Sequence, residues 1–218
     1  MNRPPRAAAR AALGLLAAIV LGACGGPAGS SSASTPPPAR TASPTSATSE
    51  TPAVEPGQGT STCSGRPTPG LTEGPYFKPG SPERTSLLQP GVSGTQLVLT
   101  GRVLSVDCAP QSGVVLDFWQ ADGSGSYDNS GDRLRGHQTT DAGGRYTLTT
   151  VMPGEYPGRT EHIHVKVAAE GSPLLTTQLF FPGVARNSSD SIFDPALVVR
   201  LGDAATGKTA AFDFVLRA

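Results

Sequence analysis

From Thr95 onward the chain never sustains a helical apolar period; short runs rich in Val, Leu, Ile, Thr and aromatic residues alternate with clusters of Gly, Asp and Pro. The runs cover residues 96–106, 114–120, 145–150, 162–168, 174–181, 197–201 and 211–216. Between them lie Asp122-Gly123, Asp141-Ala142-Gly143-Gly144, Pro153-Gly154 and Gly202-Asp203. Such pairs reverse a chain at low cost, because Gly accepts positive φ, Pro presets φ and Asp bonds its own backbone. With 27 Gly and 21 Pro in 218 residues, a helical bundle is excluded. The spacing predicts an all-β fold, an antiparallel β-sandwich with long loops at its ends, and about 155 residues is ample for its single core.

The N-terminal part has a different character. Arg3, Arg6 and Arg10 precede an apolar run over residues 11–21, the layout of an export signal. The run is short and Ala-rich for a membrane span, which needs about 20 apolar residues. Leu21-Gly22-Ala23-Cys24 resembles a bacterial lipobox, so residues 1–23 are expected to be a lipoprotein signal peptide and Cys24 the lipidated first residue of the mature chain. Residues 24–62 are then a tether: Ser, Thr, Pro, Ala and Gly with no aromatic residue cannot form a core. The folded domain is expected over residues 63–218, exported and held at the bacterial cell surface by lipid alone.

Charge narrows the partners. Lys+Arg and Asp+Glu are equal at 17 each. Removing residues 1–23 leaves 14 basic against 17 acidic residues, a net charge of −3. No basic footprint for nucleic acid exists. Of three cysteines, Cys24 is assigned to lipid, and Cys63 and Cys108 fall in the exported domain, where disulfides persist. A Cys63–Cys108 bridge would contribute roughly 4 kcal/mol in the chain-entropy model, the alternative being two free thiols.

The residues that could carry chemistry are few. Of three histidines, two form His162-Ile163-His164 within one strand run. Alternation along a strand puts both imidazoles on one face, with Cα atoms roughly 6.6 Å apart, close enough to converge on one metal ion. Ile163, Val165 and Val167 then face the core. The bland alternative is a solvent-facing pair on an edge strand. A third histidine would have to be His137, read here as a loop residue. Two of the four tyrosines, Tyr127 and Tyr156, lie in Gly-rich loops at strand ends. A phenolate is a hard anionic donor suited to ferric iron, and coordination can remove a phenol proton that is otherwise held to about pH 10. Each tyrosine alone is better explained as a loop aromatic covering the core.

The stretch Pro153-Gly154-Glu155-Tyr156-Pro157-Gly158-Arg159-Thr160-Glu161-His162-Ile163-His164-Val165-Lys166-Val167 closely resembles the signature of the intradiol ring-cleavage dioxygenases, the catechol and protocatechuate dioxygenase family. The similarity extends over Glu73-Gly74-Pro75-Tyr76-Phe77, Val115 to Asp122, Gly125 to Asp128, Leu134-Arg135-Gly136, Thr140 to Tyr146 and Leu175 to Phe181. This resemblance, to compact exported members of that family, implies a prealbumin- or immunoglobulin-like sandwich. It implies a non-haem Fe(III) held by Tyr127, Tyr156, His162 and His164. Catalytic roles then fall on Tyr156, Arg159 and Gln178, with Pro75, Tyr76 and Arg159 lining the substrate pocket. The implied reaction inserts both atoms of O2 into a catechol-type diol to give a cis,cis-muconate-type diacid. Glu155 departs from the aromatic residue often found at its position. The helical dimerisation segment of catechol dioxygenases is absent, so the dimer built on it is not expected.

Two other readings use the same residues. The strands and tether also suit a non-catalytic cell-surface, prealbumin-like or carbohydrate-binding β module, and the histidines also suit a Zn or Cu site.

Overall fold

The computed structural model describes residues 63–217. The signal peptide, Cys24 and the tether lie outside these residues. The described chain is built from nine strands: β1 (Gln96–Ser105), β2 (Val115–Gln120), β3 (Arg135–Thr139), β4 (Arg145–Val151), β5 (His162–Ala168), β6 (Leu175–Phe180), β7 (Arg200–Ala204), β8 (Gly207–Ala211) and β9 (Phe214–Leu216). Two short 3-10 turns, Ala185–Ser188 and Pro195–Leu197, lie between β6 and β7. One sheet has the order β3-β2-β5-β6 and is antiparallel throughout. The other has the order β4-β1-β8-β7, with β9 also on β1. In it β8 and β9 run parallel to β1, so the sandwich is antiparallel in one layer and mixed in the other.

Alternation writes the core. Leu97, Leu99 and Val103 of β1, Leu116 and Phe118 of β2, and Ile163, Val165 and Val167 of β5 are all fully buried. Each such side chain is worth about 1.5–3 kcal/mol when removed from water. β5 lies between β2 and β6, so the His162/His164 pair is not on an edge, and both rings are buried.

Several expectations need correction. The run 211–216 is two strands. Phe212 N–H donates to Thr100 O (3.0 Å) and Asp213 Oδ1 accepts from Arg102 N–H (2.8 Å). A Cβ at Gly101 would lie 1.7 Å from Phe212 O, so the chain steps over a glycine there and resumes as β9. The run 197–201 begins as a 3-10 turn, started by Pro195 and capped by Asp194 Oδ1, which accepts from Ala196 N–H (2.8 Å). Gly202-Asp203 is not a turn but part of β7; the reversal comes two residues later, before Gly207. Strand β3, Arg-Gly-His-Gln-Thr, has no apolar alternation and was invisible to periodicity. His137 is therefore a strand residue. It pairs with Asp117 across β2–β3, and its Nδ1 lies 2.7 Å from Ser81 O, away from the other two histidines.

The segment before β1 is tied to the sandwich at separated points. Cys63 and Cys108 form a disulfide with Cα atoms 5.8 Å apart. Thr68 exchanges bonds with Val215, Leu71 N–H donates to Thr176 O (2.8 Å), and Thr177 Oγ1–H donates to Pro69 O (2.7 Å). This path carries residues 72–77 across the histidine-bearing face of the β3-β2-β5-β6 sheet.

Candidate active site

His162 and His164 project from one face of β5. The Nδ1–H of His162 donates to Thr160 O (2.6 Å), which leaves its Nε2 with a lone pair. That Nε2 lies 3.0 Å from Nε2 of His164. Trp119 of β2 stacks on the His164 ring at 4.7 Å and 8°, fixing its plane from the sheet side. Gly74 covers the other side: a Cβ there would lie 3.2 Å from His164 Cε1. Burial pushes His162 down to about 4 and His164 well below the ordinary imidazole range, so both rings are neutral at physiological pH and present lone pairs.

The tyrosines arrive from two loops that dock through glycine. Asp122 Oδ1 accepts from Ser124 N–H (2.9 Å) and Ser126 N–H (3.0 Å), winding the β2–β3 loop tightly before Tyr127. Gly154 N–H donates to Asp122 O (2.8 Å), joining this loop to the β4–β5 loop that bears Tyr156. Gly125 sits at φ +82°, and a Cβ on it would fall 2.0 Å from Glu155 O. Contact this close between two backbones is open only to glycine.

The outcome is a cluster of four rings. Centroids are 5.6 Å apart for Tyr127–Tyr156, 5.5 Å for Tyr156–His162, 4.6 Å for His162–His164 and 6.4 Å for Tyr127–His164. The hydroxyl of Tyr127 is buried and has no hydrogen-bond partner among the described residues. Burial, reinforced by Tyr156, pushes it above the ordinary phenol range. Tyr156 is also raised by burial, with Arg159 opposing.

An orphaned buried hydroxyl is costly unless something else uses its oxygen. Two phenols clustered with two neutral imidazoles supply a donor set that fits a hard trivalent cation, whose charge can displace both phenol protons. The zinc or copper reading lacks its further ligand: among the described residues no three His, Cys, Asp or Glu side chains gather, and His137 is turned to Ser81.

Arg159 stands beside this cluster. Its Nη1–H donates to Tyr156 OH (3.3 Å), its Nη2–H to Gln178 Oε1 (2.5 Å) and its Nε–H to Asp190 Oδ2 (2.9 Å). Gln178 Nε2–H in turn donates to Thr72 O (2.9 Å), so the glutamine joins the arginine to the covering loop. Tyr76 of that loop stacks on Tyr127 at 4.2 Å and meets Tyr156 edge-on at 5.8 Å, while Pro75 is exposed beside it. Lys166 Nζ fastens the loop from β5, 2.5 Å from Glu73 Oε2 and 3.5 Å from the centre of Phe77. The structure thus brings together Tyr76, Tyr127, Tyr156, Arg159, His162, His164 and Gln178. Sequence reasoning gave no site role to Asp190 or Trp119, and no local signal in the sequence marks either one.

Comparison with known proteins points to one family. A family model described as dioxygenase matches residues 72–218. The dioxygenase domain of a dioxygenase carbohydrate-binding protein fusion from the cellulolytic bacterium Streptomyces sp. SirexAA-E is 54% identical at a TM-score of 0.68, covering 70% of this chain and 99% of that one. The 3-chlorocatechol 1,2-dioxygenase of Rhodococcus opacus 1CP is 31% identical at a TM-score of 0.64, covering 69% and 72%. A chlorocatechol 1,2-dioxygenase from a Pseudomonas sp. is 32% identical over 136 residues, 51% of this chain and 54% of that protein. The chain spans about half the length of the curated relatives it matches. By the match over residues 72–218 and the sandwich that carries it, the chain belongs to the intradiol ring-cleavage dioxygenase family.

Proposed function

We propose that the domain is a non-haem Fe(III)-dependent intradiol dioxygenase that cleaves a catechol-type aromatic diol with O2 to a cis,cis-muconate-type diacid. The observation that carries this reading is the meeting of the Tyr127, Tyr156, His162 and His164 rings beside Arg159. Those four residues would hold the metal. Bound ferric iron would act as template and Lewis acid for the diol, activating its ring toward O2. Tyr127 is the fixed phenol, its oxygen enclosed and its ring clamped by Tyr76. Tyr156 is the exchangeable one: among the described residues its oxygen has the 3.3 Å bond from Arg159 and no other, and as a phenolate, its own proton displaced by the bound metal, it would be placed to take a proton from an incoming diol. Arg159 keeps a fixed positive charge at that oxygen and would stabilise negative charge that develops there during ring opening.

Two measurements test the reading. Iron-loaded protein is expected to be red to purple from tyrosinate charge transfer. It is also expected to consume O2 with catechols, giving products whose ultraviolet spectra are those of muconate-type diacids. A colourless iron-loaded protein, or one without oxygen uptake across a catechol panel, would leave a non-catalytic β module.

The N-terminal sequence supports a place for this activity. We propose that Cys24 is lipidated and holds the domain at the outer face of a bacterial membrane. Cys24→Ser is expected to move the protein from the membrane to the soluble fraction with turnover of a soluble catechol unchanged. Continued membrane retention would reject the anchor.

A further inference from the structure

Asp190 has no part in the residue set inferred from sequence, yet both bonds that its Oδ2 accepts lead toward the site. It lies just after the first 3-10 turn and its carboxylate is almost wholly enclosed. Oδ2 accepts from Arg159 Nε–H (2.9 Å) and from the backbone N–H of Thr160 (2.9 Å). Oδ1 accepts from Ile192 N–H (3.1 Å). The carbonyl of the same Thr160 takes the Nδ1–H of His162 at 2.6 Å. One carboxylate therefore holds the guanidinium and the backbone N–H of the residue whose carbonyl sets the His162 tautomer.

The guanidinium fork is divided among three partners. Nε faces Asp190, Nη2 faces Gln178, and only Nη1 faces Tyr156 OH. With two corners pinned from different elements, the third can point in one direction only. Arginine has a long side chain with many rotamers, so its aim depends on such pins. An ion pair with a buried carboxylate is also the strong kind of pin, being charge-assisted and little screened.

We propose that Asp190 is a positioning residue of the ring-cleavage reaction, acting through Arg159 by fixing its Nη1 at the Tyr156 oxygen. The proposal rests on the dioxygenase reading. Asp190→Asn keeps an oxygen for the Thr160 N–H but removes the charge that pins the guanidinium, so the arginine wanders, and small misplacements of a group at the reacting atoms cost on the order of 100-fold in rate.

The test uses the iron-loaded full chain with Asp190→Asn, Arg159→Gln and the double variant. Asp190→Asn is expected to lower kcat on the order of 100-fold with the catechol KM within about threefold, and with iron content and tyrosinate band as in the wild type. The double variant is expected to be no slower than Arg159→Gln alone, since both remove one function. A kcat within about threefold of wild type, loss of the tyrosinate band along with activity, or additive effects in the double variant would each overturn the proposal. A second readout needs neither iron nor a foldable variant. In the metal-free wild type the Arg159 Nε–H is expected to exchange slowly with solvent by arginine side-chain NMR; fast exchange would overturn the proposal. Absence of oxygen uptake by the wild type would instead reject the dioxygenase reading, while the N–H exchange still reports the Asp190 contact.

Discussion

Tyr127→Phe is expected to weaken and shift the tyrosinate band, leaving the share that Tyr156 gives, and to abolish ring cleavage while making the metal-free chain more stable. The two effects have opposite signs because the same hydroxyl is a structural cost and a chemical asset. Its oxygen is buried with no partner among the described residues, and such groups cost about 1–3 kcal/mol to leave unpaired. Phenylalanine removes that penalty and keeps the ring that stacks on Tyr76 at 4.2 Å, so the metal-free variant should gain about 1 kcal/mol. Urea unfolding should show a higher midpoint with an unchanged slope. The loaded protein loses one of four donors. The loss should exceed the 10- to 100-fold in affinity that an outer hydrogen bond is worth. Oxygen uptake should fall with it. Lower stability without metal would show that the Tyr127 hydroxyl is not orphaned, and a loaded variant with the unaltered wild-type band would show that it is not a ligand.

That opposition explains why the site was legible in part. Strand β5 obeys alternation: Ile163, Val165 and Val167 are fully buried on one face, and the histidines follow on the other. The two-residue period put both imidazoles together without reference to any relative. The tyrosines were different. Nothing in a strand period says that a side chain at 127 and one at 156 meet, since they belong to separate loops. The likeness to a known signature supplied that pairing, and the structure supplies its cause in Gly125 and Gly154. Asp190 was out of reach, because its partner Arg159 lies 31 residues earlier and an acid in a polar loop reads as solvated surface.

The fold was legible wherever burial writes a pattern and illegible where backbone approach decides. Strand β3 pairs along β2 through a sequence with no apolar alternation. The step between β8 and β9 is set by the bare Cα of Gly101 against Phe212 O. Composition gave no hint of either, because a glycine that permits a contact looks the same as one that makes a turn.

Gly125→Ala is therefore expected to do more damage than its size suggests. Two costs combine there. Placing a Cβ at φ +82° strains the backbone by about 1–3 kcal/mol. The new carbon would also sit 2.0 Å from Glu155 O, a backbone atom that cannot swing aside like a flexible side chain. The β2–β3 and β4–β5 loops must move apart, stretching the Gly154–Asp122 bond and separating Tyr127 from Tyr156. The expected result is a folded protein, destabilised by about 2–4 kcal/mol, that takes up much less iron and shows no tyrosinate band. Gly171→Ala separates the two costs. Gly171 has a similar φ of +74° but open space where its Cβ would go, and it lies in the β5–β6 turn away from the rings. It should lose about 1 kcal/mol and keep full iron content and colour. If both variants bind iron alike, the docking of the two loops through glycine does not hold the tyrosines together. If only Gly125→Ala loses the metal, close backbone approach is the device that turns two surface loops into one site.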